Sequence, residues 1–148
     1  MLVIIVVDAN VIISALVVKG VSYRVFLLNF LLNKFDFIAP EFLWREVEKH
    51  KAMLLEETKL SPDEFDEILD FLKEEIVIVP ARDFIKFLPE AEKVSPDPKD
   101  KQYFALAIAF NCGIFSGDLK LKEQSKVKIY SPSELLNILQ NGRKYCHG

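Results

Sequence analysis

The sequence predicts an α/β domain built on a parallel sheet. Three observations point there. Apolar runs of strand length alternate with longer segments of helical period. The first run, Leu2 to Val7, is continuous and rich in β-branched residues, as expected of a strand buried on both faces. Capping signals open several of the intervening segments.

Four further runs read as strands: Phe35 to Ala39, Ile76 to Val79, Gly113 to Ser116 and Val127 to Tyr130. Helical patterns fall near 9–17, 21–33, 41–57, 61–74, 82–93, 98–111 and 132–140. Ser61-Pro62-Asp63-Glu64 is a capping box with proline at the first helical position, and Ser131-Pro132-Ser133-Glu134 follows the same logic. Asp97-Pro98-Lys99-Asp100 resembles it, with aspartate in both capping roles. Strands separated by helices imply parallel pairing through right-handed crossovers. Residues 1–140 read as a single domain, and 141–148 as a polar C-terminal tail expected to fray.

Composition sets bounds. With 148 residues, 51% of them hydrophobic, the chain has material for one real core and no second domain of ordinary size. A net charge of −3 argues against a protein that coats nucleic acid by charge alone, but not against an acidic site offset by a metal ion. Two cysteines, Cys112 and Cys146, do not make a disulfide scaffold and read as free thiols in a reducing, cytoplasmic setting. The oily start has no basic opening and is interrupted by Asp8 and Asn10. It fits neither a signal peptide nor a membrane span, so a soluble chain with no membrane association is expected.

Acidic residues carry the functional signal. In an open parallel sheet, ligands bind beyond the carboxyl ends of the strands. Asp8 directly follows the first strand, and Asp118 lies two residues past the strand ending near Ser116. Asp100 opens the helix that leads into that strand, so it starts at the same edge. It heads the row Phe104, Ala107, Ile108 and Asn111, which should face inward. Glu46 sits in the row Phe42, Leu43, Val47, His50, Met53 and Leu54, where a carboxylate is costly unless paired or coordinated. It is roughly 9 Å into its helix, which must therefore lean over the strand ends.

Clustered carboxylates repel unless a cation neutralises them, and hard oxygen donors suit Mg²⁺ or Mn²⁺. Asn10 and Ser116 are placed to orient water or the carboxylates. Each residue also has an ordinary structural use. Asp8, Asp97 and Asp100 are good helix caps, and Asp118 is a good turn residue after Gly117. Separately these uses suffice, but together they do not explain three acids at one edge.

At these residues the chain resembles the PIN-domain family of nucleases. The matching pieces are IIVVDANVIISAL at 4–16, APEFLWREV at 39–47, DPKDKQYFALAIAFNCGIFSGD at 97–118 and KIYSPSELLNIL at 128–139. They span nearly the whole chain. The resemblance implies a three-layer α/β/α fold whose five-stranded parallel sheet has the order 3-2-1-4-5. It implies Mg²⁺- or Mn²⁺-dependent endonuclease activity, usually on single-stranded RNA. By motif position it assigns the acidic roles to Asp8, Glu46, Asp100 and Asp118, and supporting roles to Asn10 and Ser116. Asp97 stays open as an alternative third acid, and Glu41 lies closer to the expected edge than Glu46. Many small members are toxins of toxin–antitoxin pairs and form homodimers.

Substrate phosphates need local positive charge. Lys19, Arg45, Lys49, Lys99, Lys101, Lys120 and Lys122 are near the inferred edge, with Lys120 and Lys122 favoured because they follow Asp118. The helix at 21–33, with Phe26, Leu27, Phe30 and Leu31, must be deeply buried or form an interface. His50 and His147 read as structural or tail residues. The expected function is thus a metal-dependent endoribonuclease, with a catalytically silent protein-interaction module as the alternative. A phosphatase using Asp8 as a covalent nucleophile ranks low, because the second aspartate it needs two residues on is Asn10.

Overall fold

A computed structural model describes residues 2–18 and 20–145, the last four by backbone alone. Lys19, Cys146 and His147 therefore lie outside the described residues, as does the end of the tail. Five parallel strands form one sheet in the order β3-β2-β1-β4-β5. They are β1 (Val3–Val7), β2 (Phe35–Pro40), β3 (Ile76–Val79), β4 (Gly113–Phe115) and β5 (Ile129–Tyr130). The expected order holds.

Between the strands run α1 (Ala9–Val17), α2 (Val21–Leu32), α3 (Leu43–Lys49), α4 (Lys51–Glu57), α5 (Pro62–Glu75), α6 (Leu88–Val94), α7 (Lys101–Phe110) and α8 (Pro132–Tyr145). Helices α1, α5 and α8 pack on α2, while α6 packs on α7, which touches β1, β2 and β4. The sheet lies between these two layers.

One face is sealed by aromatics. Successive strand residues alternate sides, so Phe35 and Phe37 share a face of β2, and register places Phe37 level with Ile5. Phe26 of α2 meets Phe37 at 5.2 Å and Phe115 at 5.6 Å between ring centroids. All four rings are buried. A close approach controls the join between β4 and β5. A Cβ on Gly113 would stand 2.6 Å from the Tyr130 ring and 2.8 Å from the Lys128 carbonyl, so only glycine fits.

Both expected capping boxes are present. Ser61 Oγ accepts from the Glu64 N–H at 3.2 Å, and the Ser61 N–H donates back to Glu64 at 3.3 Å. Ser131 and Glu134 repeat the exchange.

Three expected helices differ from the pattern. The segment 41–57 is not one helix but breaks at His50, whose N–H bonds the Val47 carbonyl. The break separates the apolar rows of the two halves. Leu54 is buried and Thr58 donates to the Leu16 carbonyl, while Met53 turns outward. The segment 82–93 is two 3₁₀ turns followed by α6, and 98–111 opens with a 3₁₀ turn over Pro98–Asp100. At the other end, α8 continues to Tyr145, past the expected stop at 140.

Helix α2 turns out to be both buried and exposed. Val25, Phe26 and Asn29 are buried, whereas Phe30 is 60% and Leu31 72% exposed. Among the described residues no single helix is long and apolar enough to cross a membrane. The α1–α2 pair passes such a test only jointly, and it is bent by 102°.

Asn29 locks the turn into β2. Its Oδ1 accepts from the Phe35 N–H at 2.8 Å and the Lys34 N–H at 3.1 Å, and its Nδ2 donates to the Phe35 carbonyl at 3.0 Å. The chain leaves α2 through Asn33 in the left-handed conformation, with φ 52°. Replacing Asn29 with leucine strands buried backbone groups. Urea unfolding should show Asn29→Leu less stable by about 2–3 kcal/mol, with an unchanged m-value.

Candidate functional site

The first strand delivers Asp8 to the carboxyl edge of the sheet, where it caps α1 and is only 5% exposed. Burying a carboxylate requires donors. Asp8 Oδ2 accepts from the Ser116 hydroxyl at 2.8 Å, and Oδ1 accepts from the Asn10 N–H at 3.4 Å. Ser116 itself comes from the end of β4. Its N–H reaches the Tyr130 carbonyl of β5.

Ser116 is a saturated hub. A hydroxyl has one donor and two acceptor sites. Its donor goes to Asp8, and its acceptors take the Asn10 side-chain amide at 3.2 Å and the Asp118 N–H at 3.1 Å. Asn10 Oδ1 in turn accepts from the Gly117 N–H at 3.0 Å. Asn10 and Ser116 thus tie β1 to the β4 loop.

A cleft of about 620 Å³ opens beside this network. Asp8, Glu46 and Asp100 line it, with Asn10 and the lysines 49, 99 and 101. Asp118 stands beside the cleft and outside its lining. Its charge nonetheless reaches both Asp8 and Asp100. Glu46 of α3 lines the cleft and pairs with Lys49 at 3.1 Å.

The structure separates the sequence alternatives. Asp97 Oδ1 accepts from the Lys99 N–H at 3.0 Å, as Asp118 Oδ1 does from the Lys120 N–H at 3.0 Å, and Asp97 is outside the cleft lining. Asp100 makes no reciprocal capping bond and faces the cleft. Glu41 Oε1 accepts from the Ala81 N–H at 2.5 Å, which holds it at the end of β3 and away from Asp8.

The favoured Lys120 and Lys122 are outside the cleft lining, on a 3₁₀ turn over Leu119–Glu123 that buries Leu121; the Lys120 N–H donates to Asp118 Oδ1 at 3.0 Å, and Lys122 pairs with Glu134 of α8. Arg45 is exposed and does not line the cleft either. Among the described residues, the cations lining the cleft are Lys49, Lys99 and Lys101, and Lys101 is also paired with Glu92 at 3.4 Å.

Tyr103 is a site residue that sequence reasoning missed. It is 3% exposed, and its hydroxyl oxygen accepts from the Ala9 N–H at 3.3 Å. Burial and the charges of Asp8, Asp100 and Glu46 hold its phenol far above the usual range, so it stays neutral. Its position one helical turn after Asp100 was the available signal.

Electrostatics show the strain of this arrangement. Burial raises the Asp8 pKa, helped by the charge of Asp118 and opposed by the Ser116 hydrogen bond. Asp100 is pushed up to about 7, by burial first and then by Asp8, Asp97 and Asp118, with Lys99 opposing. Among the described residues no three acidic, histidine or cysteine side chains converge closely enough to cage an ion by themselves. The donor chemistry still fits Mg²⁺ or Mn²⁺. Mg²⁺ keeps several waters and takes one or two carboxylates, and mutually repelling carboxylates gain most from such a charge.

The fold and this edge define a parallel α/β domain with an acidic, lysine-fringed cleft at the sheet's carboxyl ends. The sequence profile of the PIN domain matches residues 6–132. The chain belongs to the PIN-domain family, whose fold is of the nuclease type. No curated protein matches it.

Among the remaining residues, Cys112 is half-buried and burial pushes its thiol up to about 11, which suits a structural role. His50 marks the break between α3 and α4.

The raised Asp100 pKa has a stability consequence. The folded state holds a proton that the unfolded state gives up between pH 3.8 and about 7. Stability of the metal-free protein therefore falls as pH rises through that window. Asp100→Asn removes this cost. In EDTA, its melting temperature should exceed that of wild type at pH 8, and the difference should shrink as pH falls toward 4.

Proposed function

We propose that the protein is a Mg²⁺- or Mn²⁺-dependent endonuclease that hydrolyses phosphodiester bonds of single-stranded RNA. The observation that carries this reading is the pairing of Asp8 and Asp100 on one cleft, with Asp118 adding its charge.

Asp8, Glu46 and Asp100, which line the cleft, would hold the cation together with Asp118. Such a cation, when bound, polarises the phosphodiester and acidifies a water. The chain's own residues do the rest. Ser116 fixes the rotamer of Asp8, and Asn10 ties Ser116 to the backbone of Gly117. Lys49, Lys99 and Lys101 offset the phosphate charge. Tyr103 adds a neutral, buried phenol to the cleft lining.

Cleavage of single-stranded RNA should require Mg²⁺ or Mn²⁺ and fall at least about 100-fold in Asp8→Asn and Asp100→Asn. Ser116→Ala should lose about 10- to 100-fold in activity or metal affinity, because the outer partner of a ligand orients it. A purified wild type that cuts no RNA of varied sequence with either metal sinks the reading.

A second reading is supported by the exposed apolar strip of α2. Leu27, Phe30, Leu31 and Leu32 are all at least 36% exposed on one element. That surface suits self-association or an antitoxin-like protein, and with a silent cleft it would make the chain an interaction module. We place the homodimer first. Light scattering at micromolar concentration should give twice the chain mass, and Leu31→Glu should give the monomer.

A further inference from the structure

The cleft that holds Asp8 and Asp100 is also lined by the uncharged residues Ile13, Phe42, Pro98 and Tyr103. The Phe42 and Tyr103 rings lie 5.2 Å apart between centroids, tilted by 55°. Tyr103 is buried and anchored at Ala9, whereas Phe42 is only half-buried. Phe42 therefore has surface left to offer, and its ring packs on that of Tyr103. The lysines 49, 99 and 101 border the same space.

A phosphodiester alone explains only half of these groups. It answers the lysines and a cation at the acids, but it has nothing to set against an aromatic ring. A base paired in a duplex keeps its faces stacked on its neighbours. An unstacked base has a free π-face and is joined to an anionic backbone, so one ligand matches both the ring and the lysines. We infer that the cleft seats one unstacked nucleobase of a single-stranded polynucleotide against Phe42, adjacent to the phosphodiester at the acids. The placement of that phosphodiester rests on the nuclease reading, while the base-stacking contact can be read without hydrolysis.

The test is binding in EDTA at low ionic strength, using a short single-stranded RNA with one 2-aminopurine moved along its length. At one position the 2-aminopurine emission should be quenched by wild-type protein and by Phe42→Trp. Phe42→Leu should lose the quench and bind about tenfold to a hundredfold more weakly. An abasic residue at that same position should weaken binding to wild-type protein by a similar factor. This arm involves no variant that could fail to fold. Equal binding of the matched duplex, an abasic substitution without effect at every position, or no RNA binding at all would overturn the inference. The last result would instead leave the apolar lining to a protein side chain. Quenching without metal-dependent cleavage would keep the base site and remove the nuclease reading, so the two fail separately.

Discussion

Like charge crowded at the end of a buried strand is the constraint on which the rest of this structure depends. Asp8 is nearly inaccessible to water and lies within the field of Asp100 and Asp118. Nothing in a hydrophobic sheet offsets that by itself. The fold supplies dipoles instead. The hydroxyl of Ser116 spends its single donor on Asp8, and both of its acceptor sites are filled by groups from opposite sides of the β1–β4 junction. Because each of its bonds is taken, the hub has one arrangement, and the acids inherit that fixed geometry. Carboxylates held so tightly against one another would gain from a bound cation.

The central strand was the most legible, because a strand buried on both faces of a parallel sheet is a continuous apolar run, whereas β2 is interrupted by the exposed Asp36. Their spatial order came only from the likeness to PIN domains. No pattern within the chain states that β1 lies between β2 and β4. The acids at 8, 100 and 118 were readable from topology, because strand ends and the starts of returning helices share an edge. Choosing Asp100 over Asp97 needed coordinates. Both can cap the same turn, and only the structure shows which one does.

Other features were hidden for specific reasons. His50 breaks a helix where no glycine or proline announces it, because tertiary packing of Leu54 and Thr58 against α1 overrides the local pattern. The lysines after Asp118 follow it on a turn that buries Leu121, and neither joins the cleft lining. The lysines that do reach the cleft approach from α3 and from the turn into α7. Sequence distance from an acid is a poor guide where the backbone reverses. An overall charge of −3 is equally uninformative here, since the local balance at the cleft includes three cations.

Gly113 shows how far the acidic edge depends on distant packing. Its missing side chain lets β4 lie against Tyr130, and two bonds of the β4–β5 ladder flank that contact, from Ile114 to Lys128 and from Ser116 to Tyr130. The second of these is made by the same residue whose hydroxyl steadies Asp8. The two-residue edge strand β5 thus acts as an outrigger for the hub: a hydrogen atom at the far end of β4 sets the seat on which the acids rest.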